Sequence, residues 1–228
     1  PHSTNSKITQ KGSEWVFRIP VSGRYYGGVN AKYVGENIGT KIAYICAADA
    51  ASVGDCANME KQMRSRFGVD PAYRADVQEK EVDFRSHMQK IKSANVDGIL
   101  VAALAETMAR ALVQSYEAGI GEDVRRLGSS SASNAPVPKI AGDAAKGVFF
   151  TAAYAAADDR PIAKLFNEMT RQRYGIHAPD HDFSQAYDLV RIMEMALKST
   201  DLELSSSSLA ADRTAIRDAI ASVEGYEG

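Results

Sequence analysis

Apolar positions along this chain follow two alternating patterns. The run Asp97-Gly-Ile-Leu-Val-Ala-Ala-Leu104 is continuously apolar after an Asp-Gly boundary, and the residues from Glu106 to Gly119 follow at once with Met108, Leu112 and Tyr116 at helical spacing. A short unbroken apolar run reads as a strand buried on both faces, and the spacing behind it as an amphipathic helix lying over that strand. Lys41-Ile-Ala-Tyr-Ile-Cys46 opens another such unit, with Met59, Met63 and Phe67 on one helix face beyond a small-residue loop. A further helix follows Asp83, a candidate cap, and carries Phe84, Met88 and Ile91 into the first-named strand.

Strand and helix in regular alternation predict an α/β chain with right-handed crossovers and a parallel sheet covered on both faces. Ligands of such sheets bind beyond the carboxyl ends of the strands. Those ends fall at residues 47–53, at 104–107 and, after a strand over 125–127, at 129–133. They are built largely from small or hydroxyl residues, which let backbone and serine groups approach a solute and are also simply easy to build.

Toward the carboxyl terminus the pattern becomes helical. Asp159 is a candidate cap, Pro161 suits a first turn, and Ile162, Leu165, Phe166 and Met169 make the stripe of a core-facing helix. Residues 187–197 and 209–223 read as two more helices, separated by a loop holding four consecutive serines, 205–208.

With 228 residues, 45% hydrophobic and 25% charged, the chain has the composition of a globular protein of one large domain or two lobes. A net charge of −2 supplies no basic field for nucleic acid and no polybasic membrane anchor. No apolar run approaches the ~20 residues that span a bilayer. The opening Pro1-His-Ser-Thr-Asn is polar, so this chain is expected to carry no signal peptide, as a trimmed or mature chain would. Cys46 and Cys56 lack the spacing of a metal or redox motif. Either they bridge the intervening loop in an oxidising compartment or they are two buried thiols.

Common enzyme signatures of this fold class are missing: no GxGxxG after a strand, no Walker loop, no GxSxG elbow, no HExxH helix. An enzymatic reading would need Asp49, Asp55 and the 129–133 serines as acid, base and nucleophile, and no histidine or lysine base stands near those serines. His177-Ala-Pro-Asp-His181-Asp182 has metal-ligating groups, but Pro179 breaks any helix that would align them, and a polar loop between helices is the expectation. No cofactor and no catalysis are expected.

Several segments add a resemblance. Thr4-Asn-Ser-Lys-Ile-Thr9, Trp15-Val-Phe-Arg-Ile-Pro20, Val82-Asp-Phe84, Lys90-Ile-Lys-Ser-Ala-Asn-Val-Asp-Gly98, Ile140-Ala-Gly-Asp-Ala-Ala-Lys-Gly-Val-Phe-Phe-Thr151 and Ser184-Gln-Ala-Tyr-Asp188 stand in an order and spacing that cover nearly the whole chain. Together they resemble the type I periplasmic solute-binding proteins, specifically the leucine/isoleucine/valine-binding family of ABC importers. The resemblance implies two Rossmann-like lobes of parallel sheet with flanking helices, of which this chain, lacking both family ends, holds an incomplete first lobe. It implies residues 1–20 as part of the first lobe, 21–154 as the second, and 155–228 as a helical return to the first, some of whose apolar faces are expected to be left uncovered.

It further implies an extracytoplasmic protein that captures an amino acid or related small carboxylate by hinge closure and delivers it to the membrane permease of an ABC importer, in the periplasm and with no membrane insertion of its own. A ligand-sensing regulatory domain of the same fold is the alternative. On the first lobe the ligand carboxylate falls to Thr4, with Ser3 and the backbone of His2 beside it. On the second, Val53, Leu104 and Ser130 stand where the family usually offers two tyrosines and a glutamate for the ligand's amino group. That departure implies an amine-free carboxylate, unless Asp49 or Glu106 supplies the acid. Tyr25 and Tyr26, ahead of Gly27 and Gly28, either stack on a ligand at the cleft rim or pack at a helix start.

Overall fold

The structure, a computed structural model, describes residues 3–227. In chain order its elements are α1 (Lys7–Gln10), α2 (Gly23–Asn37), β1 (Ile42–Ala47), α3 (Ala50–Phe67), β2 (Tyr73–Val77), α4 (Arg85–Ala94), β3 (Gly98–Ala102), α5 (Ala105–Glu117), β4 (Arg125–Gly128), α6 (Pro136–Ala141), β5 (Phe149–Phe150), α7 (Pro161–Tyr174), α8 (His181–Lys198) and α9 (Leu209–Ala221), with 3-10 turns at Ser130–Ser133 and Gly142–Ala145. They form two compact units. One runs from Val21 to Ala152; the other joins the segment up to Pro20 with the segment from Ala153 onward.

The Val21–Ala152 unit is the α/β layer structure that the alternation predicts. Its sheet is parallel throughout, in the order β2-β1-β3-β4-β5. Every residue of β1 and β3 is buried, because both sheet faces are covered. Ala43, Ile45 and Ala47 point with Ile99 and Val101 into a core shared with Phe84 just before α4, Met88 and Ile91 of α4 and Met108 and Leu112 of α5. Ile42, Tyr44 and Cys46 point with Leu100 to the opposite face, against Ala31 and Val34 of α2 and Met59 and Met63 of α3. The period-two alternation of strand side chains thus builds two cores from one apolar run.

Helices α2 and α3 pack closely because Gly27 has no side chain: a Cβ there would lie 2.6 Å from the Cβ of Asn58. Between the same layers Cys46 of β1 and Cys56 of α3 form a disulfide, their Cα atoms 6.2 Å apart, which resolves the two readings left open by the sequence in favour of the bridge. Asn95, with φ 49°, ends α4, an αL position that asparagine tolerates better than most residues.

Four local expectations change. Asp83 accepts a hydrogen bond from Arg85 N at 3.1 Å, yet the residue flanking α4 is Phe84, since the Asp83 carboxylate also takes the Arg85 guanidinium. Pro161 does occupy the first turn of α7, but its N-cap is Arg160, and Asp159 instead pairs with Lys164. The buried face of α7 is Ala163, Phe166 and Thr170, while Leu165 is 64% exposed. Finally α8 begins six residues earlier than the apolar spacing predicts, because Asp180 accepts from the backbone N–H groups of Asp182 and Phe183. That capping turns His181 from a loop residue into a buried one.

In the second unit, where the described residues contain no strand, the serine loop is tied down by Asp212, which accepts the Ser208 hydroxyl and the backbone N–H groups of Glu203 and Leu204. Val190, Met193 and Leu197 of α8 and Leu209 of α9 remain exposed. Among the described residues no helix is long and apolar enough to cross a membrane.

Candidate functional site

Strands β1, β3 and β4 are neighbours in register, Cys46 opposite Ala102 and Val101 opposite Gly128, so their carboxyl ends lie side by side near the middle of the sheet. Adjacent strands are about 4.8 Å apart. What leaves those ends therefore lines one edge, and three of the residues singled out from the sequence stand there: Val53 in the first turn of α3, Leu104 as N-cap of α5, and Ser130 opening the 3-10 turn after β4.

Each is placed by a local device. After β1 the chain turns at Asp49, whose Oδ1 accepts from Ala51 N and Ser52 N at 3.0 Å each, starting α3 and holding Val53 outward, 44% exposed. Leu104 holds extended backbone before α5 and is 45% exposed, while Thr107 in the next turn is buried, donating to the Glu79 carbonyl at 2.9 Å. After β4, Ser129 donates to the Ala103 carbonyl at 3.3 Å, joining the β3 and β4 exits, and Ser133 donates to the Ser130 carbonyl at 3.0 Å. These two serine hydroxyls are engaged with the main chain.

The edge has an apolar wall, Val53 and Leu104, and an acidic element beside it. Asp55, one turn into α3, has a buried Oδ1 with no hydrogen-bond partner, as has Asp49 at Oδ2. Burial, and then the Asp49 carboxylate, push the Asp55 carboxyl up to about 7. Glu106, the other acid considered from the sequence, is exposed in the first turn of α5.

The remaining expected residues are carried by other segments of the chain. Tyr26 is buried within α2, and Tyr25 beside it is exposed, with the Arg24 guanidinium 5.6 Å from its ring centre. Ser3 and Thr4 belong to the other unit. Thr4 is buried and its carbonyl accepts from Arg18 at 3.3 Å, while the Ser3 hydroxyl accepts from Asn5 N at 3.3 Å. His2 lies outside the described residues. Among the described residues no group of three or more histidine, cysteine, aspartate or glutamate side chains is arranged to hold a metal ion.

The sequence profile described as periplasmic binding protein matches residues 2–228. The chain belongs to that family. It is 26% identical over 152 residues to the leucine-, isoleucine-, valine-, threonine- and alanine-binding protein of Pseudomonas aeruginosa, a match covering 66% of this chain and 40% of that protein. Among solved structures it is similar to the leucine-binding protein LivK of Thermotoga maritima, with TM-score 0.82 and 23% identity over 96% of this chain and 60% of that one. It is also similar to a solute-binding protein from R. palustris in complex with benzoate, with TM-score 0.80 and 16% identity over 96% and 57% of the two chains. These likenesses show the type I periplasmic-binding-protein fold, and the chain spans less than two thirds of the length of the relatives it matches.

Sequence reasoning named Asp49 and Asp55 but missed their coupling, since nothing in a linear pattern says that a carboxyl on a helix will be buried beside another. It also missed Arg126, which the strand pattern over 125–127 concealed: its guanidinium is buried, donating to Ser115 Oγ and to the carbonyls of Ile120, Gly121 and Val124.

Proposed function

We propose that the chain is part of an extracytoplasmic solute-binding protein of an ABC importer, binding an amino acid or related small carboxylate without chemical change to it. The observation that carries this reading is the family match over residues 2–228 together with a strand-end edge lined by Val53, Leu104 and Ser130. Relatives of this fold include one described with isoleucine, one with benzoate and one named for fatty acids, so the scaffold accepts ligands with and without an ammonium group.

The edge favours the amine-free class. Ser130 offers no negative charge, and a buried ammonium without a partner is unfavourable by several kcal/mol. Benzoate-like or aliphatic carboxylates match an apolar wall of Val53 and Leu104. For the carboxylate we assign Thr4, Ser3 and the His2 backbone, neutral donors that stabilise a buried anion without adding a second charge to desolvate. Tyr26 completes the proposed set. The buried Cys46–Cys56 disulfide supports an oxidising compartment such as the periplasm, and a permease of the importer is the proposed partner.

The test is a thermal-shift screen of amino acids against amine-free aromatic and aliphatic carboxylates, since a ligand of the native state raises the midpoint. Stabilisation by carboxylates alone supports the reading. Stabilisation by amino acids alone transfers the ammonium to another acid, with Asp49 and Asp55 the first to examine.

A further inference from the structure

A cavity in the Val21–Ala152 unit lies at the opposite edge of the sheet, where β4 and β5 begin rather than end. It encloses about 670 Å³ between the last turns of α5, the loop before β4 and the 3-10 turn before β5. Drug-sized and metabolite-sized ligands occupy pockets of roughly 300–1,000 Å³. Its apolar floor is Val113, Val124, Ala141 and Ala144.

The cavity is lined by charges of both signs. Arg126 is only 4% exposed and stacks over the Tyr116 ring at 4.2 Å. All four of its hydrogen bonds go to neutral oxygens, one hydroxyl and three carbonyls. A guanidinium carries five N–H groups, so the second N–H of Nη2 is left over. Burial lowers the affinity of Arg126 for its proton, opposed by Tyr116 and by the carboxylates of Asp123 and Glu122. Arg125 lines the same cavity and is exposed, without an ion pair among those described. The acidic lining residues are Glu117 and Glu122, both exposed, and Asp143, which is already paired with Lys146 at 2.7 Å. Glu117 also ends α5, where the helix dipole favours a positive group.

We propose that this cavity is a second ligand site, taking a small zwitterion whose carboxylate meets Arg125 and Arg126 and whose ammonium meets Glu117 and Glu122, with its apolar part on Val113 and Val124. Such a molecule supplies an anion to the Arg126 guanidinium and leaves neither of its own charges unpaired. The charged groups named at the strand-end edge, Asp49, Asp55 and Glu106, are all acidic, so the two places offer a ligand different partners.

The experiment is an amide NMR titration of the chain with L-leucine, with isovalerate, which lacks the amine, and with isoamylamine, which lacks the carboxylate. Gly121, Val124 and Gly147 report on the cavity, and Ala51, Ser52 and Val53 on the strand-end edge. Saturable leucine shifts at the cavity reporters, larger than those from either truncated probe, are expected. Arg125→Gln and Glu122→Gln, both at exposed positions, are each expected to weaken that response by up to about five-fold, the upper end for an exposed charge contact, without altering shifts at the strand-end edge. Equal shifts from isovalerate, no shift from any probe, or indifference to both substitutions would overturn the proposal. A response at the strand-end edge alone sinks the second site and leaves the proposed function standing; a response at the cavity alone does the reverse.

Discussion

Asp49 and Asp55, six residues apart on the first turns of α3, each keep one buried carboxylate oxygen without a hydrogen-bond partner. Asp49 has its other oxygen on two backbone N–H groups, so its charge is held at the helix start. Asp55 has no such support, and burial first, Asp49 second, raise its carboxyl from 3.8 to about 7.

Stability is therefore expected to fall as pH rises between about 4 and 7. In that window the folded chain holds a proton on Asp55 that the unfolded chain has released, so each step up in pH favours unfolding. The penalty is fully present above pH 7 and gone below pH 4, and it is on the order of a few kcal/mol. Asp55→Asn should flatten this profile, raising the melting temperature more at pH 8 than at pH 5. Parallel profiles for the two proteins in thermal melts across that range would contradict the assignment.

Asp49→Asn separates the two causes. Asparagine caps a helix about as well as aspartate, so α3 should persist while the charge next to Asp55 disappears. Asp55 is expected to titrate lower than in the parent yet still above the usual carboxylate range, because burial is the larger cause. Carboxyl carbon chemical shifts followed through a pH titration measure this directly.

Gly27 and Gly28 predict substitutions of opposite sign. Gly27→Ala drives a Cβ to 2.6 Å from Asn58 Cβ and 2.9 Å from its carbonyl carbon, neither being the far end of a flexible chain. A loss of about 1–3 kcal/mol is expected from the forced separation of α2 and α3. At Gly28 a Cβ meets nothing within 4 Å, so Gly28→Ala should gain up to about 1 kcal/mol from helix propensity. Urea denaturation of both variants tests the pair; a loss at both positions would refute the packing argument.

The Cys46–Cys56 bridge closes a short loop between strand and helix, and replacing both cysteines by alanine is expected to lower stability by about 2–3 kcal/mol. Both cysteines are buried, so a thiol reagent added with reductant should label them only as the fold opens. Labelling of the native protein at the rate of an exposed disulfide would show the bridge to be accessible.

Ser130→Glu addresses ligand choice. If the proposed site is right, the new carboxylate supplies a partner for the ammonium of an amino acid and should shift preference from amine-free carboxylates toward amino acids by about tenfold or more, the value of one hydrogen bond to a charged group. Calorimetric titration with leucine and isovalerate gives the ratio; an unchanged ratio would remove Ser130 from the site.

Much of this was legible in the chain itself. The unbroken run of β3 and the spacing of Met108 and Leu112 announce a covered strand and its helix, because burial on both faces leaves no room for polar alternation. The strand-end positions of Val53, Leu104 and Ser130 follow from the same pattern. Illegible were features that depend on where a side chain ends in space. Leu165 continues an apolar stripe yet is exposed, and the start of α8 was set by the Asp180 cap rather than by hydrophobic spacing. Arg126 shows the same limit, for an arginine inside a short strand reads as a surface residue until its partners at 115, 120, 121 and 124 are seen.

Sequence alone thus determined the α/β class and the strand-helix units built on β1 and β3, since each rests on local periodicity and on the chirality of the crossovers. Only the tertiary structure decided that Cys46 reaches Cys56, that Asp55 is raised by burial and by Asp49, and that the cavity beside Arg126 exists. Those are matters of distance and desolvation between residues on different elements or turns, and neither quantity is written in the order of residues along a chain.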